Sequence, residues 1–349
     1  MSFSLGYNQD FLGFSRLLAS HGEKVGEVYF PLPSRIGSSG RAEFQPDTYP
    51  NEIKQLVKLC SGNGIKSCLL LNASCEGKHI GDLRSMYRIV DYVKELEKLG
   101  LEAVIATNPL YLMLLGQEAP GLELQASVNC YCQTVEHARH LQELGATVLT
   151  VDRDINRDLD RIRRIKATGL KIKVLLNEGC LLDCPFRKMH FNQIAHINPR
   201  DPGEQAAYIR FRCMACVSIL ERRPEICFKS PFIRPEDLWR YQDLADYFKI
   251  ASRTTPTEVI ERRLEAYSKE SFDGNLISLF ETAGVPKVIK RIDNKKLDRY
   301  SFFEKISSCE GNCAECGYCT KLLKETAELW DRRLRYSERT FPTPRDLCM

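Results

Sequence analysis

Short apolar segments alternate with amphipathic ones along most of this chain, and that alternation constrains the fold more than any other feature. Residues 3–6, 26–30, 68–71, 103–106, 123–128, 148–151 and 171–176 read as short buried strands. Between them lie helical patterns: one through Phe14, Leu17 and Leu18, then 51–61, 86–99, 110–115, 134–144 and 156–168. Ile53, Leu56, Val57 and Cys60 recur at helical spacing, as do Ile89, Val90, Val93 and Leu96. Thr134 is a candidate cap, and Gly100, Gly145 and Gly169 are candidate stops. The alternation pauses after residue 176 and resumes at 247–252, with a last helix over 257–269. Strands and helices in strict alternation predict an α/β fold, a parallel (β/α)8 TIM-like barrel. The pause becomes an insertion between strands 7 and 8. The expected organisation is a barrel over 1–270, with the insertion at 180–240, and a C-terminal extension over 271–349.

In such barrels chemistry sits at the carboxyl ends of the strands. The residues expected there are Asn72, Ser74, Asn108, Ser127, Asn129, Asp152, Arg153, Asn177, Glu178, Ser252 and Arg253. Strand-to-helix turns are polar for local reasons too, so each of these residues is equally a capping or turn residue.

Cysteine is the second strong signal. The chain has 349 residues and 15 cysteines, far too long to need a disulfide framework. Residues 1–10 mix polar and apolar side chains, and no apolar run reaches the roughly 20 residues that span a bilayer. The expectation is a cytoplasmic protein, with no membrane partner, whose thiols serve metal or redox chemistry. Net charge is +4, so nucleic acid would have to bind through a local patch. The mixed-charge run 286–299 is at most a weak candidate for one and reads as a solvated face.

The cysteines fall into groups. Cys180 and Cys184 come directly off strand 7, and Pro185 disfavours a regular helix through Cys184. Cys213, Cys216 and Cys227 follow in the insertion, and Cys309, Cys313, Cys316 and Cys319 occur within eleven residues of the extension. Thiolates at these spacings suit either an iron–sulfur cluster or zinc. Spacing alone does not separate the two. The compact run 309–319, with Gly311 and Gly317 for tight turns, can wrap one centre by itself, and the helix expected over 319–335 would dock through Leu322, Leu323, Leu329 and Trp330. Cys60 and Cys68 read as core. Cys75, Cys130 and Cys132 lie just past strand ends and read as packed thiols, and Cys348 as incidental.

The stretch from Asn177 to Cys184, the Cys213–Cys227 region, KSPFIRPEDL at 229–238 and YFKIASRTTPTEVIERRLEAY at 247–267 together resemble the peptidase U32 family. The likeness runs over residues 3–267. It implies a barrel with a cysteine-bound 4Fe-4S cluster, in a family that includes oxygen-independent hydroxylases of quinone precursors and of tRNA uridine, with prephenate as oxygen source. Carried onto this chain, Cys180 and Cys184 match the first two ligands and Cys213 or Cys216 the third. The fourth is the other thiol of that pair, Cys227, or none. Two departures stand out: the first pair is more closely spaced than in the family, and Leu238 and Trp239 occupy the region where the family places a ligand.

Around the cysteines, Glu178 and His190 are candidates for proton transfer, and Arg253 matches a family motif position. Arg187, Arg212, Arg234 and Arg253 could together receive a small anionic substrate. Walker, GxSxG, HExxH and dinucleotide motifs are absent from the sequence. Cys309, Cys313 and Cys316 have the CxxxCxxC spacing of radical adenosylmethionine enzymes, but follow strand 8 instead of opening the barrel. The reading is therefore an iron–sulfur enzyme that hydroxylates or otherwise modifies an organic or RNA substrate. A second 4Fe-4S cluster, or zinc, would sit in the extension, with an electron-transfer protein or a paralogous U32 subunit as partner. The alternatives are a non-catalytic metal-bound scaffold or partner subunit, and a peptidase.

Overall fold

Each apolar segment forms a strand, and strands adjacent in sequence are adjacent in space. The computed structural model describes residues 1–33, 36–37, 40, 49–77, 81–197, 201–281 and 286–330. Its strands are β1 (Phe3–Gly6), β2 (Val25–Pro31), β3 (Lys66–Leu71), β4 (Ala103–Ala106), β5 (Glu123–Ala126), β6 (Val148–Thr150), β7 (Lys171–Leu175) and β8 (Tyr247–Ile250). They pair in order and in parallel, and β1 pairs with β8 to close the barrel. Helices α1 (Phe11–His21), α2 (Tyr49–Gly62), α3 (Leu83–Glu97), α4 (Pro109–Glu118), α5 (Val135–Glu143) and α6 (Leu159–Lys166) lie between them. The caps are legible: the Thr134 hydroxyl accepts from the His137 amide, and Gly145 leaves α5 at φ +105, a conformation costly for a side-chain-bearing residue.

Outward-facing strand residues such as Val28, Leu69, Val104, Leu149 and Val174 are fully buried against the helices. The lumen is different. Tyr29, Cys68, Leu70, Ala103 and Ile105 form a separate small apolar cluster inside it. Beside them lies a polar network with no exposure: Lys173 reaches Glu27 and donates to Gln125 Oε1 at 2.6 Å, Gln125 donates to Glu27 at 3.1 Å, and Ser4 donates to Glu27 at 2.5 Å. Burial alone would raise the Glu27 carboxyl, but the Lys173 charge and these hydrogen bonds outweigh it and hold it at about 2. At the amino end of the strands, Lys66 pairs with Glu123 at 2.7 Å and Lys171 with Glu123 at 2.9 Å, and the Lys66 ammonium donates to Tyr247 Oη at 3.1 Å.

The insertion between β7 and β8 carries α7 (Arg187–His196), α8 (Pro202–Arg212), a π-helical turn at Cys213–Val217 and α9 (Ser218–Arg222). Ala215 breaks that turn with φ −86° and ψ −119°. After β8 and α10 (Thr257–Ser268), the extension adds β9 (Ile289–Ile292), α11 (Phe302–Ser307), α12 (Cys313–Cys316), α13 (Tyr318–Thr326) and β10 (Ala327–Leu329). Insertion and extension share a second core, in which Leu181, Leu220, Phe228 and Phe232 meet Leu276, Ile289, Phe302 and Leu322. No described helix is long and apolar enough to cross a membrane.

Two expectations about the extension need correction. The run 286–299 is not wholly a solvated face, because Ile289, Ile292 and Leu297, spaced among its charges, are buried in the second core. The tail helix ends at Thr326, whose hydroxyl donates to the Leu322 carbonyl at 2.8 Å. The next residues turn extended and pair antiparallel with β9. Leu322 is buried as expected, but Leu329 and Trp330 remain 44% and 43% exposed. Cys348 and the end of the expected helix lie outside the described residues, as does most of the 35–50 loop.

Candidate active site at the carboxyl ends of the strands

The carboxyl end of the barrel is lined by groups that the strands aim inward and the insertion then covers. Asn177 follows β7 and extends its ladder with a side chain: its amide donates to the Ala251 carbonyl at 2.9 Å and accepts from the Ala251 amide at 2.8 Å. This is a structural role. It holds the start of the insertion against β8 and delivers Glu178 and Cys180 over the opening.

Arg153 is the centre of that opening. It is 1% exposed, its Nη2 donates to Asn129 Oδ1 at 3.1 Å, and its Nε lies 3.0 Å from Glu178 Oε2. The ion pair is close but poorly aligned, so Nε and Nη1 are buried without a hydrogen-bond acceptor. Asn129 in turn donates to the Asn72 carbonyl at 3.2 Å. Phe191 of α7 covers the guanidinium, 4.8 Å from ring centroid to carbon. Glu178 also accepts from the Cys180 amide at 3.0 Å. Burial pushes its carboxyl up, but Arg153, the Cys180 amide and Arg187 hold it below the usual glutamate range. Buried guanidinium donors without acceptors are costly, and they mark a place where an anionic group fits.

The cysteines divide differently from their order in the chain. Cys180 faces Glu178, Arg153 and Arg187, and burial followed by the Glu178 charge pushes its thiol well up. Cys184 and Cys216 are mutual neighbours, each feeling the second core, and burial together with the Cys184 charge raises Cys216. Cys227 goes with the tail. It is 2% exposed inside the second core, and burial, followed by Cys319 and Glu225, raises its thiol. The Cys213 side chain lies outside what is described. Among the described residues no three cysteine sulfurs lie within 4.8 Å of one another; the one histidine–carboxylate group that tight is His21, Glu261 and Glu265 on the barrel exterior.

The tail thiols surround a cavity of about 340 Å³ lined by Cys309, Cys313, Cys316 and Cys319 together with Arg223, Lys229 and Lys305. Lys229 Nζ lies 3.6 Å from Cys313 Sγ. Cys309 and Cys316 are exposed, while burial and the neighbouring thiols push Cys319 up to about 12. The second core therefore touches both groups, through Cys184 and Cys216 on one side and Cys227 and Cys319 on the other.

The other candidates are scattered. His190 stacks on Tyr208, at 5.7 Å between centroids and 3.2 Å from Nε2 to the hydroxyl, within an aromatic group on α7 and α8. The four arginines expected to share an anion pocket do not converge. Arg187 pairs with Asp154, Arg212 lies over the Tyr208 ring, and Arg234 is buried against Asn294, Asp298 and Glu236. Arg253 stands past the end of β8, where its charge acts on Lys249. Cys60, Cys68 and Cys132 are buried, and burial raises Cys130 to about 12 and Cys132 to about 11. Sequence reasoning had Arg153 only as one strand-end residue among many. The available signal was its charge, which a turn does not require.

A family model described as peptidase family U32 matches residues 17–180. An uncharacterized protease of Methanocaldococcus jannaschii is 31% identical over 309 residues, covering 87% of this chain and 89% of that protein. A 23S rRNA 5-hydroxycytidine synthase of Escherichia coli is 30% identical over 127 residues, 36% of this chain and 18% of that protein. Among solved structures, a U32 peptidase superposes with a TM-score of 0.52 at 18% identity, covering 72% of this chain and 93% of that one. That likeness concerns the barrel fold.

Proposed function

Because the chain belongs to the peptidase U32 family, we propose that it is an iron–sulfur enzyme that modifies an organic or RNA substrate at the barrel mouth, by oxygen-independent hydroxylation or a related reaction. The observation that carries this reading is the side-chain group at the strand ends: Arg153 buried with Nη1 lacking an acceptor, Glu178 paired with its Nε, and the Cys180 amide donating to Glu178.

The donor chemistry supports this reading: the groups are built of thiolates alone, soft charged donors that can each take one iron of a four-iron cluster, with zinc as the alternative for the tail group. Cys180, Cys184 and Cys216 would hold the group at the mouth, with Cys213 as the fourth thiol if one is used. Such a group, when bound, would supply Lewis-acidic iron to the reaction.

The chain's own residues do the rest. Arg153 binds the anionic part of the substrate through Nη1, and Asn129 fixes the plane of its guanidinium. Glu178, held deprotonated, receives a proton at its carboxylate instead of donating one at neutral pH. Phe191 and the rest of α7 exclude water from the ion pair. The rRNA-modifying relative supports RNA as one substrate class.

Iron and sulfide quantification on protein purified without air, with its visible spectrum, tests the cofactor. Anaerobic incubation with RNA followed by nucleoside mass spectrometry tests the substrate. A colourless, zinc-loaded protein would overturn the reading.

A further inference from the structure

Two lysines project into the barrel lumen, and they are treated oppositely. Lys173 on β7 has no exposure, and its ammonium is met by Glu27 and Gln125. Lys249 on β8 keeps 9% of its surface exposed, and its Nζ makes no hydrogen bond or ion pair among the described residues. Its contact is the face of Tyr29, 4.1 Å from the ring centroid. That ring is fixed, because its hydroxyl donates to the Ile250 carbonyl at 3.0 Å.

The carboxylate that acts on it, Glu27, is already engaged. Glu27 takes Lys173, Ser4 and Gln125. The titratable and charged groups facing Lys249 are Glu27 and Tyr29 from β2, Cys68 from β3, Lys173 from β7 and Arg253 beyond β8. Burial first, then the Lys173 charge, brings the Lys249 amine down to about 7, with Arg253 adding to the effect. A surface lysine would spend its charge in water. This one has a reason to be neutral, and it keeps a small part of its surface open to solvent.

We propose that Lys249 is a nucleophilic amine that captures the carbonyl carbon of a small aldehyde or ketone as an imine inside the barrel. The Nζ lone pair forms the C–N bond while the carbonyl π pair moves to oxygen, which takes up a proton as the nitrogen gives one up. The resulting hydroxyl takes a second proton and leaves as water as the nitrogen lone pair closes the C=N bond, the nitrogen then releasing its second proton, so the protons balance without any oxidant or reductant. A desolvated lysine next to another cation is the arrangement that makes an amine nucleophilic at neutral pH. This assignment goes beyond the cluster chemistry and does not depend on it.

The test uses the full-length protein with acetaldehyde as probe and cyanoborohydride to fix any imine, at pH 7, with the modified lysines located by peptide mass spectrometry. Lys249 is expected to be ethylated at least about tenfold faster than any other lysine, because ordinary lysines titrate near 10.4 and stay protonated. That preference should shrink as the pH approaches 10. Lys249→Met should remove the fast phase and leave the slow surface labelling. Labelling of surface lysines with Lys249 unmodified, or modified no faster than they are, overturns the proposal. The mapping on unmutated protein decides the matter even if the variant folds poorly.

Discussion

The molecule has two cores built on different principles, and the contrast explains where its chemistry sits. The barrel core is made of segments that pair in sequence order, each burying one face against a helix and turning the other inward. The second core is assembled from pieces far apart in the chain, from Leu181 to Leu322, with no regular sheet to align them beyond the short β9–β10 pair. The barrel supplies fixed directions, seen in Arg153, Asn129 and Lys249. The appended core supplies proximity. It alone brings Cys184 beside Cys216 and Cys227 beside Cys319. Rigid polar groups therefore come from the ordered core and adaptable thiols from the irregular one.

The strongest way to break this division is to cut the link between the cores. Arg157 donates to the carbonyls of Phe228, Ser230 and Phe232 and lies over the rings of Phe232 and Phe302. Arg157→Met leaves those buried carbonyls unpaired and should cost about 3–5 kcal/mol. Urea unfolding should then show the appended core melting before the barrel. A single cooperative transition in the variant would mean that the cores are not separable.

Crossed cysteine variants sharpen the comparison next. If each group holds its own four-iron centre, Cys184→Ala and Cys316→Ala should each lose about half of the iron and sulfide and keep the rest. Loss of all iron from either variant would show that the shared wall makes the two sites one unit.

Two smaller effects belong to the barrel alone. Glu27 is held at about 2, below its unfolded value near 4.3. Its contribution is present above pH 4.3 and is lost as the pH falls toward 2. Glu27→Gln should flatten the acid limb of the stability curve over that window. Lys249 behaves in the opposite sense. With a folded value near 7 and an unfolded one near 10.4, the unfolded chain binds more protons between them, so stability rises with pH across that interval. Lys249→Met should be the more stable protein by about 1–3 kcal/mol below pH 7, an advantage that vanishes toward pH 10. Thermal melts against pH check both.

The barrel was largely legible because its signal is local. A residue's burial follows from its neighbours two, three or four positions away, so all eight strands and the helices between them could be read from periodicity. The direction of charged strand residues was harder. Lys173 and Lys249 alternate with apolar neighbours, a pattern that suits a solvent-facing edge, and barrel closure turns them inward instead. The second core was illegible for a different reason. The burial of Ile289, Ile292 and Leu297 depends on surfaces contributed by residues as distant as Phe228, and their irregular spacing within the charged 286–299 run gives no periodic signal. Sequence order groups Cys227 with the insertion, whereas the structure packs it into the second core, where Cys319 acts on its thiol.

The amino end of the barrel has its own bearing on turnover. Lys66, Glu123, Lys171 and Tyr247 interlock there, and the layer of Glu27, Gln125 and Lys173 above them admits no solvent. Whatever reaches the interior must arrive and depart through one doorway, so a spent molecule has to vacate before a fresh one can enter, and anything that crowds that doorway throttles both directions at once.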